Sequence, residues 1–330
     1  MAITMESIKT LRAMTGAGLA DVKKALTEAD GDMERAKEIL RERGQAIAAK
    51  RSDRETSNGC VLAKAENGFA AIIALKCETD FVANGADYIA LTKDILDAAV
   101  AAKAKDIEAV KNLTLANGQT VAAAITERSG VTGEKMELDG YNFIEGENVS
   151  VYNHMNKNVL CTLVQTNKPA EEQAHAVAMQ VAAMKPVALN EEGVDPAIIE
   201  EEKKVAAEKT KQEQVEKAVV NALKKAGINP AHVDSEDHMK SNMAKGWITA
   251  EDVEKAKEII AKVSEEKAAN LPAAMIENIV KGRINRFYKE NCLLNQEFIQ
   301  DSKMTVADYL KAADKDLTVV NFKRFSLQAD

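Results

Sequence analysis

The sequence runs to 330 residues, 46% hydrophobic, 29% charged and only 4% aromatic, with a formal net charge of -8. That length exceeds one ordinary core, so two or more folding units are expected, and the abundance of Ala, Lys and Glu favours helices packed through small and aliphatic side chains. The acidic balance argues against a protein whose main task is gripping phosphate backbones, so no direct nucleic-acid partner is expected. Cys60, Cys77, Cys161 and Cys292 form no C-x-x-C pair and fit free thiols better than a disulfide framework or a zinc site. Met1 to Leu11 carries no apolar h-region, and no run of about 18 apolar residues follows. Neither a signal peptide nor a membrane partner is expected, and a cytoplasmic location is.

Residues 1–45 read as a small helical module. Thr4 caps a first helix with Ile8 and Leu11, Thr15-Gly16-Ala17-Gly18 breaks it, and a second helix from Leu19 to Ala29 carries Val22, Ala25 and Leu26 on one face. Asp32 caps a third helix with Ala36, Ile39 and Leu40 inward, and Gly44 stands where a C-terminal cap belongs. The stretch from Lys50 to Asn58 is polar and charged, and residues 46–58 read as a linker.

The period then changes. Phe69, Ala71, Ile73, Leu75 and Cys77 alternate as a half-buried strand does, and Asn67-Gly68 supplies a hairpin turn back to Val61–Ala65. The run exits through Glu78-Thr79-Asp80 into a helix over Asp87–Ala102. The plan recurs: strands over Val149–His154 and Val159–Gln165, an exit through Gln165-Thr166-Asn167, and a helix over Ala170–Met184. This repetition predicts two related α+β lobes, the first over 59–140 and the second over 141–186 and 271–330. Between them 187–270 reads as a projecting helical hairpin of coiled-coil character. Asp195-Pro196 opens it, Val253, Ala256, Ile260 and Val263 recur on its returning helix, Thr249 and Asp252 form an imperfect capping box, and Trp247 sits near its tip.

The search for chemistry yields little. Thr15-Gly16-Ala17-Gly18 is the only glycine-rich loop, but a phosphate loop follows a strand, and here a helix precedes it, so a tight inter-helix turn is the better reading. His154, His175, His232 and His238 show no metal spacing, and no serine or cysteine has a nucleophile's setting. No catalytic residue, metal or cofactor is expected. By residue type alone, Phe81 is a core phenylalanine beneath a helix start and Asp80 a turn cap.

A family comparison changes those two readings. Thr15-Gly16-Ala17-Gly18-Leu19 with Asp21, Lys23-Lys24-Ala25-Leu26 and Gly31-Asp32 resembles the opening of bacterial elongation factor Ts. Cys77-Glu78-Thr79-Asp80-Phe81-Val82-Ala83 is similar to the family's C-x-T-D-F-V-A motif, and Tyr152-Asn153-His154 to its Tyr-x-His. Gly282-Arg283, Phe287, Leu293-Leu294, Gln296, Phe298, Asp301 and Thr305-Val306 resemble its closing segment.

The resemblance implies an α+β fold with an N-terminal three-helix ubiquitin-associated-like domain, two core lobes and a helical projection. It implies a non-enzymatic guanine-nucleotide exchange factor whose partner is elongation factor Tu. Thr79, Asp80, Phe81 and Val82 would meet that GTPase near its nucleotide, the phenylalanine wedging between two helices and disturbing the magnesium ion. His154 and the opening's Arg12, Thr15, Gly16, Ala17, Gly18 and Leu19 would add secondary contacts. Two departures stand out: Val159 occupies a position usually glycine, and the chain closes at Ser326-Leu327-Gln328-Ala329-Asp330 where many relatives continue into a terminal helix that touches the GTPase. Two other readings compete: an adaptor binding ubiquitin-like or nascent chains through the N-terminal module, and a phosphotransferase using Gly16 and Gly18.

Overall fold

The computed structural model describes residues 3–327, which divide into two units, one of residues 3–189 with 297–327 and the other of residues 190–296. The first opens with α1 (Met5–Thr15), α2 (Leu19–Glu28) and α3 (Met33–Lys50). Thr4 and Ser7 close a capping box on α1, and Asp32 caps α3 through the Arg35 amide. Leu11, Val22, Ala25, Leu26 and Ala36 are wholly buried at the centre of the three helices.

Helix α3 does not stop at Gly44 but runs on to Lys50, well into the expected linker. Gly44 is a packing residue rather than a cap: a Cβ on Gly130 would lie 2.2 Å from the Gly44 Cα. A mid-helix glycine costs about 1 kcal/mol in propensity, and here it admits a second helix at backbone distance.

The core begins with β1 (Asn58–Glu66) and β2 (Phe69–Cys77), antiparallel and joined through Asn67 and Gly68, both at positive φ as the tight hairpin turn requires. The one-turn α4 (Asp80–Ala83), α5 (Ala86–Ala101), α6 (Ile107–Lys111) and α7 (Val121–Thr132) lead to β3 (Met136–Glu145), which pairs with β2. Strand β3 carries the first sheet past residue 140, where the lobe boundary was expected. Strand β2, expected to be half-buried, is buried on both sides. Phe69, Ala71, Ile73, Leu75 and Cys77 join the core around α5, while Ala70, Ile72 and Ala74 join Cys161 and Leu163 of the second sheet. The central strand of a sheet covered on both faces has no solvent side.

The second sheet contains β4 (Val149–Asn153) and β5 (Leu160–Thr166), and α8 (Glu171–Met184) packs on β5. The chain then enters the second unit with α9 (Pro196–Lys225), α10 (Glu236–Ala244), α11 (Ala250–Ala269) and α12 (Ala273–Asn291). Helix α11 packs against α9, and so does α12, where Arg283 meets Glu213 at 2.6 Å. Residues 273–291 therefore belong to the helical unit and not to the second lobe, because α9 offers α12 a packing face. The Thr249–Asp252 capping box is complete, with both reciprocal bonds made. Leu223, Ile228, Val233, Met239, Ile248, Val253 and Ala256 give this unit its own small core.

Back in the first unit come β6 (Glu297–Phe298), β7 (Asp301–Thr305), α13 (Val306–Ala313) and β8 (Val319–Ser326), the last pairing with β5 to complete the order β4-β5-β8. The buried Gln180 of α8 ties in β6, donating to the Glu297 carbonyl at 3.1 Å and accepting from the Ile299 amide at 2.8 Å. The fold class is α+β. Gln328, Ala329 and Asp330 lie outside the described residues.

Candidate functional site

The candidate site is the exit from β2. Cys77 is the last strand residue, and its buried thiol donates to the Thr79 carbonyl at 3.2 Å. Burial pushes this thiol above the ordinary cysteine range. Thr79 has extended backbone and caps α4, its hydroxyl accepting from the Val82 amide at 3.4 Å. The turn closes through the Asn84 side-chain amide on the Asp80 carbonyl at 2.8 Å and the Gly85 amide on the Val82 carbonyl at 3.0 Å. Ala83 is buried and Val82 packs against the first core, so the single turn is anchored on its inner side. Asp80 and Phe81 take the outer side, and Phe81 is 87% exposed. The core reading of Phe81 does not hold. The Asp80 carboxylate has no hydrogen-bond partner among the described residues.

Two carboxylates not singled out in the sequence hold this turn from behind. Glu78 accepts from the Lys135 amide at 2.7 Å and meets Arg51 at 3.0 Å and Arg54 at 3.4 Å. The Lys135 amide and the Arg51 guanidinium hold its carboxyl below the usual range. Glu134 receives both the amide of Thr79, at 3.1 Å, and its hydroxyl, at 2.6 Å. Glu134 lies 55 positions from Thr79, and no local pattern could have signalled the pairing.

The N-terminal candidates form a helix–turn–helix. Gly16, at φ 67°, ends α1 with its amide on the Arg12 carbonyl at 2.8 Å, Thr15 donates to the Leu11 carbonyl at 2.7 Å, and Gly18 precedes α2. Ala17 is buried, while Arg12 and Leu19 are exposed. The loop joins two helices, not a strand to a helix. His154 follows β4, its Nδ1 3.1 Å from the Tyr152 hydroxyl. The hairpin beyond it takes its left-handed residues from Met155, Asn156 and Asn158, with Asn153 bridging to Asn158 at 2.6 Å. Val159 therefore needs no glycine-like conformation there. Among the described residues, no group of three or more His, Cys, Asp or Glu is placed to hold a metal ion, and no helix is long and apolar enough to cross a membrane.

A sequence profile of the family described as Elongation factor TS matches residues 78–234 and 222–329. The chain belongs to the elongation factor Ts family. It is 64% identical over 330 residues to Elongation factor Ts of Phocaeicola vulgatus, covering 100% of both chains. The match to Elongation factor Ts of Bacteroides fragilis is also 64%, over 331 residues and 100% of each chain. That to Elongation factor Ts of Porphyromonas gingivalis is 43% over 331 residues, again complete on both sides. Membership in the elongation factor Ts family gives the chain a role in translation elongation, and the profile match begins at Glu78, so it takes in the whole exposed turn.

Proposed function

We propose that this protein is a guanine-nucleotide exchange factor for elongation factor Tu in the cytoplasm, acting by binding alone with no covalent chemistry of its own. The observation that carries the reading is Phe81, held at 87% exposure on a capped turn within the segment that resembles the family's T-D-F-V motif. An exchange factor binds the nucleotide-free GTPase better than the nucleotide-bound one, and by reciprocity it weakens nucleotide binding by the same factor. Speeding release about ten-thousandfold means lowering the dissociation barrier by roughly 5.5 kcal/mol. Burying the Phe81 side chain in the partner supplies about 1.5–3 kcal/mol of that. The exposed Asp80 carboxylate, directed near the partner's magnesium, would act on the ion that bridges the phosphates. Val82 and Thr79 frame the pair. His154 and the turn of Arg12, Thr15, Gly16, Ala17, Gly18 and Leu19 serve as secondary contacts, and Leu19 offers an exposed apolar side chain for that role.

The test is the release of fluorescently labelled GDP from purified elongation factor Tu, with and without this protein. Acceleration at substoichiometric concentration is expected. An unaltered release rate at saturating concentration would overturn the reading and leave the adaptor.

A further inference from the structure

We infer that Glu134 is a positioning residue for nucleotide exchange, locking the turn that presents Asp80 and Phe81 without itself meeting the nucleotide; this rests on the exchange reading above. A helix of four residues has too few internal hydrogen bonds to hold itself in water. Its order has to come from outside, and the contacts that provide it are specific. Each oxygen of the Glu134 carboxylate takes one donor from Thr79: Oε1 the hydroxyl and Oε2 the amide. Because the hydroxyl hydrogen is committed to Glu134, the lone pairs of Oγ1 remain for the Val82 amide, which is the bond that starts α4. Glu134 thus acts on the turn through the cap.

The lock is itself held. Gly133, in the left-handed conformation at φ 71°, ends α7 and turns the chain toward β3. The Glu134 amide donates to the Thr132 hydroxyl at 3.2 Å, and the buried Ser129 hydroxyl donates to the Glu134 carbonyl. Next along the chain, the Lys135 amide donates to Glu78. Two adjacent residues on each side are therefore joined in opposite senses, Glu78 accepting from Lys135 and Thr79 donating to Glu134. Asp80 and Phe81 follow directly from this clamp. A turn fixed in advance loses less freedom when it docks, so the partner's binding free energy goes into displacing nucleotide and not into ordering Phe81.

The experiment measures labelled-GDP release from elongation factor Tu as kcat and KM separately, using the full chain and its variants Glu134→Ala, Glu134→Asp, Glu134→Gln, Phe81→Ala and the double variant Glu134→Ala/Phe81→Ala. Backbone amide exchange at Thr79 and Val82 is read on the same proteins. Glu134→Ala is expected to lower kcat/KM by about tenfold, to speed amide exchange at both positions, and to leave the protection of β2 unchanged. Glu134→Asp keeps the charge but falls short of the two donors, and should behave like Glu134→Ala; it carries the test if Glu134→Ala does not fold. Glu134→Gln keeps one acceptor oxygen and should recover most of the activity. In the Phe81→Ala background Glu134→Ala should cost clearly less than it does alone, since one of the two side chains it positions is already removed and only Asp80 remains. Parental exchange by Glu134→Ala beside an impaired Phe81→Ala overturns the positioning role and leaves the exchange reading standing. So does a full additional loss in the double variant. Parental exchange by Phe81→Ala overturns the wedge, and the positioning role with it.

Discussion

The Tyr88 hydroxyl donates a 2.7 Å hydrogen bond to the Leu75 carbonyl inside the core. The contact falls where the pairing of β2 with β3 shifts register, between Ala74 and Leu75. Burial holds this phenol far above its ordinary pKa, so it remains a donor at any working pH. Tyr88→Phe keeps the ring and removes the bond from a site with no exposed surface. It should cost about 1–3 kcal/mol, seen as a thermal midpoint lower by several degrees. An unchanged midpoint would mean that the Leu75 carbonyl does not depend on Tyr88.

Gly44 and Gly130 make an asymmetric pair. A Cβ on Gly130 would fall 2.2 Å from the Gly44 Cα and 3.2 Å from its carbonyl oxygen, whereas a Cβ on Gly44 would sit 3.4 Å from the Gly130 Cα. Gly130→Ala has to push α3 away from α7 and should destabilise by about 1–3 kcal/mol despite the better helix former. Gly44→Ala finds room at close to van der Waals contact and should be near neutral, since alanine returns about 1 kcal/mol of propensity. Chemical denaturation of both variants checks the order; equal effects would show that the helices do not meet at this point.

What the sequence made legible is mostly local. The Asn67-Gly68 turn, the Asp195-Pro196 helix start and the Thr249–Asp252 capping box each spend their signal within four residues, and each appears in the fold. The motif at Thr79–Val82 was legible as a pattern, but its exposure was not, because a phenylalanine beside a strand end is more often core than surface. What stayed hidden depends on distant partners. Gly44 resembles a helix stop until Gly130 arrives from 86 positions away, and β2 resembles a half-buried strand until the second sheet covers its other face. The Glu134 clamp had no local signature at all.

The clamp at Glu78 carries a pH dependence. Its folded pKa lies below the ordinary carboxylate value of about 4.3, because the ionised form accepts from the Lys135 amide and meets Arg51 and Arg54. A depressed pKa contributes stability that is fully present above the unfolded value and is lost as pH falls through the folded one. The Glu78–Lys135 tether should therefore be intact from neutrality down to about pH 4.3 and fail progressively below it. The carboxyl carbon shift of Glu78 followed by NMR should titrate below that value, with the Lys135 amide shift moving in step. A normal titration would show the carboxylate to be unheld.

The helical unit has its own core, and the turn that carries Phe81 lies in the other unit. Cutting at 205–265 would remove much of the surface on which α12 packs, so the cleaner excision is residues 226–249, which leaves Leu223, Val253 and Ala256 to face one another between α9 and α11. The excised protein should exchange nucleotide at close to the parental rate. A loss beyond about tenfold, or 1.4 kcal/mol, in a protein still folded would move part of the functional surface to the tip around Trp247.

Phe81 separates folding from function on a single substitution. A core phenylalanine replaced by alanine costs about 3–5 kcal/mol of stability, whereas a side chain 87% exposed has little packing to lose. Phe81→Ala should therefore keep its melting midpoint within a few degrees. The same variant should release labelled GDP from elongation factor Tu about tenfold more slowly, since 1.4 kcal/mol removed from the exchange transition state has that effect. Asp80→Ala should slow exchange with equally little change in stability, because the cap of the turn is Thr79 and the Asp80 carboxylate holds nothing in the free protein. Both measurements are needed on one preparation. A Phe81→Ala protein that melts early yet exchanges nucleotide at the parental rate while folded would place the exchange surface elsewhere on the chain.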